Sequence, residues 1–224
     1  MRLSIIIPVL DEESTIASTL KSLGSFPVEA IVVDGGSQDR TADIAGQMQV
    51  RVIASSRGRA RQMNTSAAAA QSDVLLFLHA DTRLPSSAIG DVVSALDDPR
   101  YVGGRFDLRL DHSGIIFRLI GSLISLRSRL TRIATGDQAI FVRRGIFDAI
   151  NGFPEIPILE DIAFCRNLKK MGKVACLRTQ VVTSARRWQK DGVGRTILKM
   201  WVLKFLFLIG VSPFRLKRFY AEVR

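Results

Sequence analysis

At 224 residues the chain is long enough to bury a full hydrophobic core, and no internal repeat or low-complexity linker divides it. Its two cysteines, Cys165 and Cys176, lack metal-pair spacing, and two isolated thiols fit a reducing compartment better than a disulfide framework. The formal charge of +11, with more than half of the 32 Lys and Arg residues after residue 125, asks for an anionic partner: nucleic acid, membrane or a phosphorylated small substrate.

In chain order, Leu3 to Leu10 reads as a buried, isoleucine-rich strand. Pro8 and the acidic Asp11-Glu12-Glu13 cut that apolar run too short for an export signal. From Asp11 the pattern turns helical, with Ile16, Leu20 and Leu23 at three- and four-residue spacing and Gly24 as a stop. Ala30 to Val33 is a second strand, Thr41 to Met48 a short helix and Val50 to Ile53 a third strand. Gly58 to Ala70 is alanine-rich and helical, and Val74 to Leu78 is a fourth strand. Strands separated by helices of this length predict right-handed crossovers and a mostly parallel α/β sheet.

The second half is less regular. Val102 to Leu110 and Ala139 to Val142 read as strands, and Val174 to Val182 as extended. Ile115 to Leu130 and Glu160 to Met171 read as helices. The expected organisation is one domain over 1–224: a ligand-binding half to residue 100, an acceptor and catalytic part over 101–190, and an apolar, basic tail over 191–224.

Ligands of parallel α/β sheets bind beyond the carboxyl ends of the strands. Three polar clusters follow strands here: around Asp11, at Asp34 to Asp39, and at His79-Ala80-Asp81. In the second, a carboxylate at a strand end can accept from a base or ribose, and the glycines allow close backbone approach. Asp39 can instead cap the helix at Thr41, so a tight turn with an N-cap explains the segment equally well. Asp81 can hold Mg2+ or Mn2+ if a ligand's phosphates supply the other oxygens, or it can cap the turn before Pro85. Glu160-Asp161 at a helix start suits either the helix dipole or proton transfer, and spacing alone favours the dipole.

Taken together and in order, these segments resemble the family 2 glycosyltransferases of GT-A fold from Leu3 to about Trp188. The opening strand and acids are Ile6-Ile7-Pro8-Val9-Leu10-Asp11-Glu12-Glu13, and the nucleotide loop is Val33-Asp34-Gly35-Gly36-Ser37-Gln38-Asp39-Arg40-Thr41. Gly58-Arg59-Ala60-Arg61-Gln62-Met63-Asn64, His79-Ala80-Asp81 and Thr135-Gly136-Asp137-Gln138 follow, then the Gly152-Phe153 and Glu160-Asp161 pairs. Within the family the chain is most similar to the small bacterial branch described as radical-SAM/selenodomain-associated, linked to arsenosugar biosynthesis.

The resemblance implies an inverting transferase that moves a sugar from a nucleotide-diphosphate donor to an acceptor hydroxyl. It implies that Asp34 contacts the base, Asp39 shapes that pocket, Pro8 and Glu12 line it, and Arg61 helps hold base or phosphate. Asp81 would bind Mg2+ or Mn2+ and Asp161 would be the general base. His79 departs from the usual Asp of the metal motif and would ligate metal or face the ribose. Arg187 and Trp188, in Ser184-Ala185-Arg186-Arg187-Trp188, would lie beside the diphosphate or acceptor, against a plainer reading as surface arginines near a core tryptophan.

Thr196 to Val211 is strongly apolar but short of the about 20 residues a spanning helix needs. It reads as a packed or dimer-forming helix, or as an interfacial one with a peripheral membrane contact at the cytoplasmic face. The competing functions are a polyprenyl-phosphate glycosyltransferase and a basic nucleic-acid or membrane-binding module. No helix-turn-helix or aromatic-basic RNA motif supports nucleic acid as a partner.

Overall fold

The computed structural model describes residues 1–24 and 26–219. Residues 220–224, the end of the basic tail, lie outside the described residues. The first half alternates strand and helix: β1 (Leu3–Val9), α1 (Ile16–Leu23), β2 (Glu29–Asp34), α2 (Thr41–Gln47), β3 (Arg51–Ala54), α3 (Arg59–Ala69) and β4 (Val74–Phe77). A two-residue strand β5 (Thr82–Arg83) and helix α4 (Ala88–Leu96) lead into the second half. There β6 (Tyr101–Leu110), α5 (Ile115–Thr131), β7 (Ile140–Arg143), α6 (Arg144–Ala149), α7 (Glu160–Met171) and β8 (Lys173–Thr183) follow. The chain ends in α8 (Arg186–Asp191), α9 (Val193–Leu208) and α10 (Pro213–Leu216).

The strands form one sheet in the order β3-β2-β1-β4-β7-β6-β8-β5. β1 to β4 are mutually parallel, as expected from their crossovers. β7 runs antiparallel to both β4 and β6, and β5 antiparallel to β8, so the second half is mixed. The unbroken apolar runs of β1 and β4 follow from burial on both faces. Ile5 and Ile7 enter one core cluster with Leu76, while Ile6 enters the other with Leu75 and Phe77. Each such side chain removes enough apolar area from water to contribute roughly 1.5–3 kcal/mol.

Gly103 and Gly104 are required where β6 meets β7. A Cβ on Gly103 would strike the Phe141 carbonyl, and one on Gly104 the Phe141 ring. The antiparallel course of β7 brings the turn before it, Gly136–Gln138, to the edge where β1, β2 and β4 end.

A third apolar cluster joins the start of α7 to the tail. Ile158, Leu159 and Ile162 pack on Leu203 of α9 and Leu216 of α10. The packing expected for the tail is therefore partial: within α9 only Thr196 and Leu203 are buried. Among the described residues no helix is long and apolar enough to cross a membrane.

Candidate active site

The loops after β1 and β2 are laced together by side chains. Asp11 Oδ1 accepts from Gln38 N (2.8 Å), and Thr41 Oγ1 accepts from Glu12 N (2.8 Å). Asp39 accepts from Glu13 N at 3.1 Å and from Thr41 N at 2.9 Å, and it also takes the Thr41 hydroxyl. These bonds hold the Asp39 carboxyl below its ordinary value, with desolvation opposing them. Asp34 closes its own turn, accepting from Gly36 N and from the Ser37 backbone and hydroxyl. Asp34 and Asp39 thus brace the loops, although the N-cap of α2 is Arg40 and not Asp39, and neither carboxylate lines the cleft.

Beneath those loops Gln62, buried, donates to the Val9 and Val33 carbonyls at 2.8 and 2.9 Å. It ties the ends of β1 and β2 together and lies under Gly35, where a Cβ would meet its amide. The sequence motif contains Gln62, but only the fold reveals its bridging role.

A cleft of about 420 Å³ opens at this edge, walled by Pro8, Glu12, the Arg57–Gln62 segment, Thr135, the Glu155–Asp161 loop and Arg187. Met200, Phe214 and Lys217 close its far side, so the C-terminal segment contributes a wall. The N-terminus of α3 faces the cleft after Gly58, whose φ of +140° favours glycine. The helix N-terminus and the flanking arginines suit an anion. Arg61 is partly engaged by Glu155 at 3.1 Å, across an exposed pair that water screens.

Leu159 takes a left-handed conformation (φ +64°) and so turns Glu160 and Asp161 into the cleft. Glu160 is 3% exposed and pairs with Arg59 at 3.4 Å. Burial raises its carboxyl, Arg59 opposes this and Asp161 adds to it. Asp161 accepts from Gly136 N (2.8 Å) and Ile162 N (2.7 Å), so two backbone dipoles orient it. It stands where the cleft joins a small void bordered by His79, Phe77 and Phe153. A Cβ on Gly136 would run into the His79 ring, so this approach admits only glycine. Burial, helped by the charge of Arg59, pushes His79 down to about 3 and keeps it neutral.

Asp81 sits in a chain of charges. Arg186 Nη2 lies 2.6 Å from both carboxylate oxygens of Glu12 and 3.7 Å from Asp81 Oδ2. Burial raises the Asp81 carboxyl to about 6; Arg186 opposes this, and Glu12 and Asp137 push it further up. That is a position where added positive charge is favourable. Among the described residues no three His, Cys, Asp or Glu side chains converge as a metal cage. A divalent ion at Asp81 fits only if a bound diphosphate completes its oxygen shell.

Of the residues expected at the site, Pro8, Glu12, Arg61, Asp161 and Arg187 line the cleft, and His79 borders the void beside it. Asp81 and Trp188 do not line it; the partly buried Trp188 side chain packs against the main core cluster. Arg186, next to the arginine singled out from the sequence, makes the contacts with Glu12 and Asp81. Two adjacent arginines at the start of α8 point differently, and no sequence signal separates them.

The glycosyl transferase family 2 model matches residues 4–153, more than half of the chain. The chain belongs to glycosyl transferase family 2. It is 31% identical over 166 residues to a PGL/p-HBAD biosynthesis glycosyltransferase of Mycobacterium bovis, covering 67% of this chain and 62% of that one. It is 33% identical over 112 residues to a 4,4'-diaponeurosporenoate glycosyltransferase of Staphylococcus haemolyticus, covering 45% and 30%. The match thus spans less than two thirds of either curated relative. The mannosyltransferase PcManGT from Pyrobaculum calidifontis, solved with GDP-Man and Mn2+, superposes with a TM-score of 0.70 at 18% identity, covering all of this chain and 66% of that one. The structural likeness shows a GT-A-type fold.

Proposed function

We propose that this family 2 enzyme transfers a sugar from a nucleotide-diphosphate donor to an acceptor hydroxyl with inversion at the anomeric carbon. The observation that carries the reading is a single cleft that combines the α3 N-terminus and its arginines with the oriented carboxylate of Asp161. The first group suits a diphosphate, and the second suits a proton acceptor.

In this mechanism Asp161 takes the acceptor's hydroxyl proton as the oxygen attacks the anomeric carbon. The bond from that carbon to the diphosphate oxygen breaks on the opposite face, and its electron pair leaves with the diphosphate. Arg59, Arg187 and the α3 N-terminus stabilise the developing charge, an electrostatic contribution realised in the transition state. Asp81 is the residue for Mg2+ or Mn2+, which when bound would neutralise diphosphate charge. Pro8, Glu12 and Arg61 line the donor side, Asp34 and Asp39 hold the nucleotide loop in shape, and neutral His79 supports the Gly136 turn. The GDP-Man and Mn2+ in the similar mannosyltransferase support this donor class and metal. Placement in the small radical-SAM-associated branch belongs to the proposal and rests on the sequence motifs. Two cysteines that form no disulfide favour a cytoplasmic setting.

Calorimetry against nucleoside diphosphates and their sugars, with and without Mn2+ or Mg2+, tests the reading. Metal-enhanced binding of one nucleotide class is expected. Folded protein that binds none of the panel would overturn it.

A further inference from the structure

Two helices leave apolar stripes uncovered. On α5, Ile115, Leu119, Leu123, Leu126 and Leu130 follow one helical face, and all are exposed, Ile115 and Leu130 by 78% and 76%. On α9, Leu198, Trp201, Phe205 and Leu208 do the same, with Trp201 72% exposed. Phe214 and Phe219 extend that apolar surface past α9. Isolated exposed apolar residues are ordinary, but aligned stripes of this length mark a contact surface. The two helices meet where Ile133, just past the end of α5, packs on the apolar cluster that holds Leu203 of α9.

Charge identifies the occupant. No Asp or Glu occurs from residue 112 to 136 or from 192 to 219. Arg118, Arg195, Arg215, Lys217 and Arg218 are all exposed along these segments. A face-to-face contact between two copies would set these cations against each other without a counter-charge. An anionic bilayer complements both the apolar stripes and the basic rim. Neither helix can span a membrane, so each would lie in the interface plane.

We propose that the α5–α9 face docks onto an anionic lipid bilayer. Docking deepens the transferase reading, because Met200, Phe214 and Lys217 of the same segment wall the cleft and place its mouth beside the lipid. An acceptor embedded in that bilayer would then reach Asp161 without leaving the interface.

The full chain is mixed, without nucleotide, with phosphatidylglycerol–phosphatidylcholine vesicles and with phosphatidylcholine vesicles alone. Co-sedimentation with the anionic vesicles and a blue shift of Trp201 emission are expected, with much weaker binding to the neutral ones. Trp201→Phe should bind yet lose the shift. Trp201→Glu with Phe205→Glu should lower partitioning by at least roughly tenfold while circular dichroism stays native. Should that pair fail to fold, Leu119→Glu with Leu123→Glu reads the same surface from α5. Folded wild-type protein that ignores anionic vesicles overturns the proposal. So does a dimer in light scattering that these variants convert to monomer, since a second copy would then cover the face. Because no donor is present, failure here and failure of the nucleotide screen are separate results.

Discussion

Replacing Asp161 with Asn removes the carboxylate's basicity while changing its shape least. The structure sets the size of the side effects. Asp161 accepts two backbone hydrogen bonds, from Gly136 N at 2.8 Å and Ile162 N at 2.7 Å. An amide oxygen can keep one of them, but the NH2 group then faces the other donor. Losing one bond to a charged acceptor costs about 1.5–3 kcal/mol, which lowers the melting temperature without unfolding a domain of this size. Losing general-base catalysis costs about 10²–10⁴-fold in rate, equivalent to about 3–5 kcal/mol of transition-state stabilisation. The assay has two arms: release of nucleoside diphosphate from the best-binding donor in the presence of hydroxyl acceptors, and calorimetric binding of the same nucleotide. The expected outcome is a collapsed turnover number with nucleotide affinity within about threefold of wild type. Near-full turnover in a folded Asp161→Asn variant would remove Asp161 from the mechanism and point to another proton acceptor in the cleft.

The remaining predictions concern the surroundings of that carboxylate. Asp81 rises from the ordinary 3.8 to about 6 through burial; the folded form then holds its proton more tightly than the unfolded chain, so this group's contribution to stability falls as pH rises from about 4 to 6. Asp81→Asn should therefore raise stability at pH 7 to 8 by up to about 3 kcal/mol and abolish metal enhancement of donor binding; a less stable variant with intact metal response would refute both points. In the wild type the metal enhancement should fade below about pH 6, measured by calorimetry across pH. Gln62→Leu strips the donor from two buried carbonyls and should cost about 2–4 kcal/mol, read as a lower denaturant midpoint. Gly136→Ala drives a Cβ into His79 and should cost about 1–3 kcal/mol while slowing turnover more than it weakens nucleotide binding, because the N–H that orients Asp161 moves.

What the sequence determined by itself is mostly local. The short, mostly apolar runs Leu3–Val9 and Val74–Phe77, the first rich in isoleucine, favour strands buried on both faces, and helix-length spacers between strands favour parallel crossovers. The Glu160–Met171 helix and the acidic and glycine-rich strand ends were legible for the same reason: their signals lie within a few residues of each other. The order of those motifs was enough to suggest the family and to single out Asp161 and Asp81. Tertiary structure decided whatever depends on direction or on partners far along the chain. The antiparallel course of β7 brings Gly136 against His79 and Asp161, although the segments lie far apart in sequence. Adjacent residues of a helix diverge by about 100°, so one step separates Arg186, which holds Glu12, from Arg187, which lines the cleft, and Trp188 packs, partly buried, against the core. The apolar tail reads alike for a core helix and a surface helix, because hydrophobicity does not record what covers it. Packing settles that: α9 buries Leu203 against α7 and presents Trp201 to solvent.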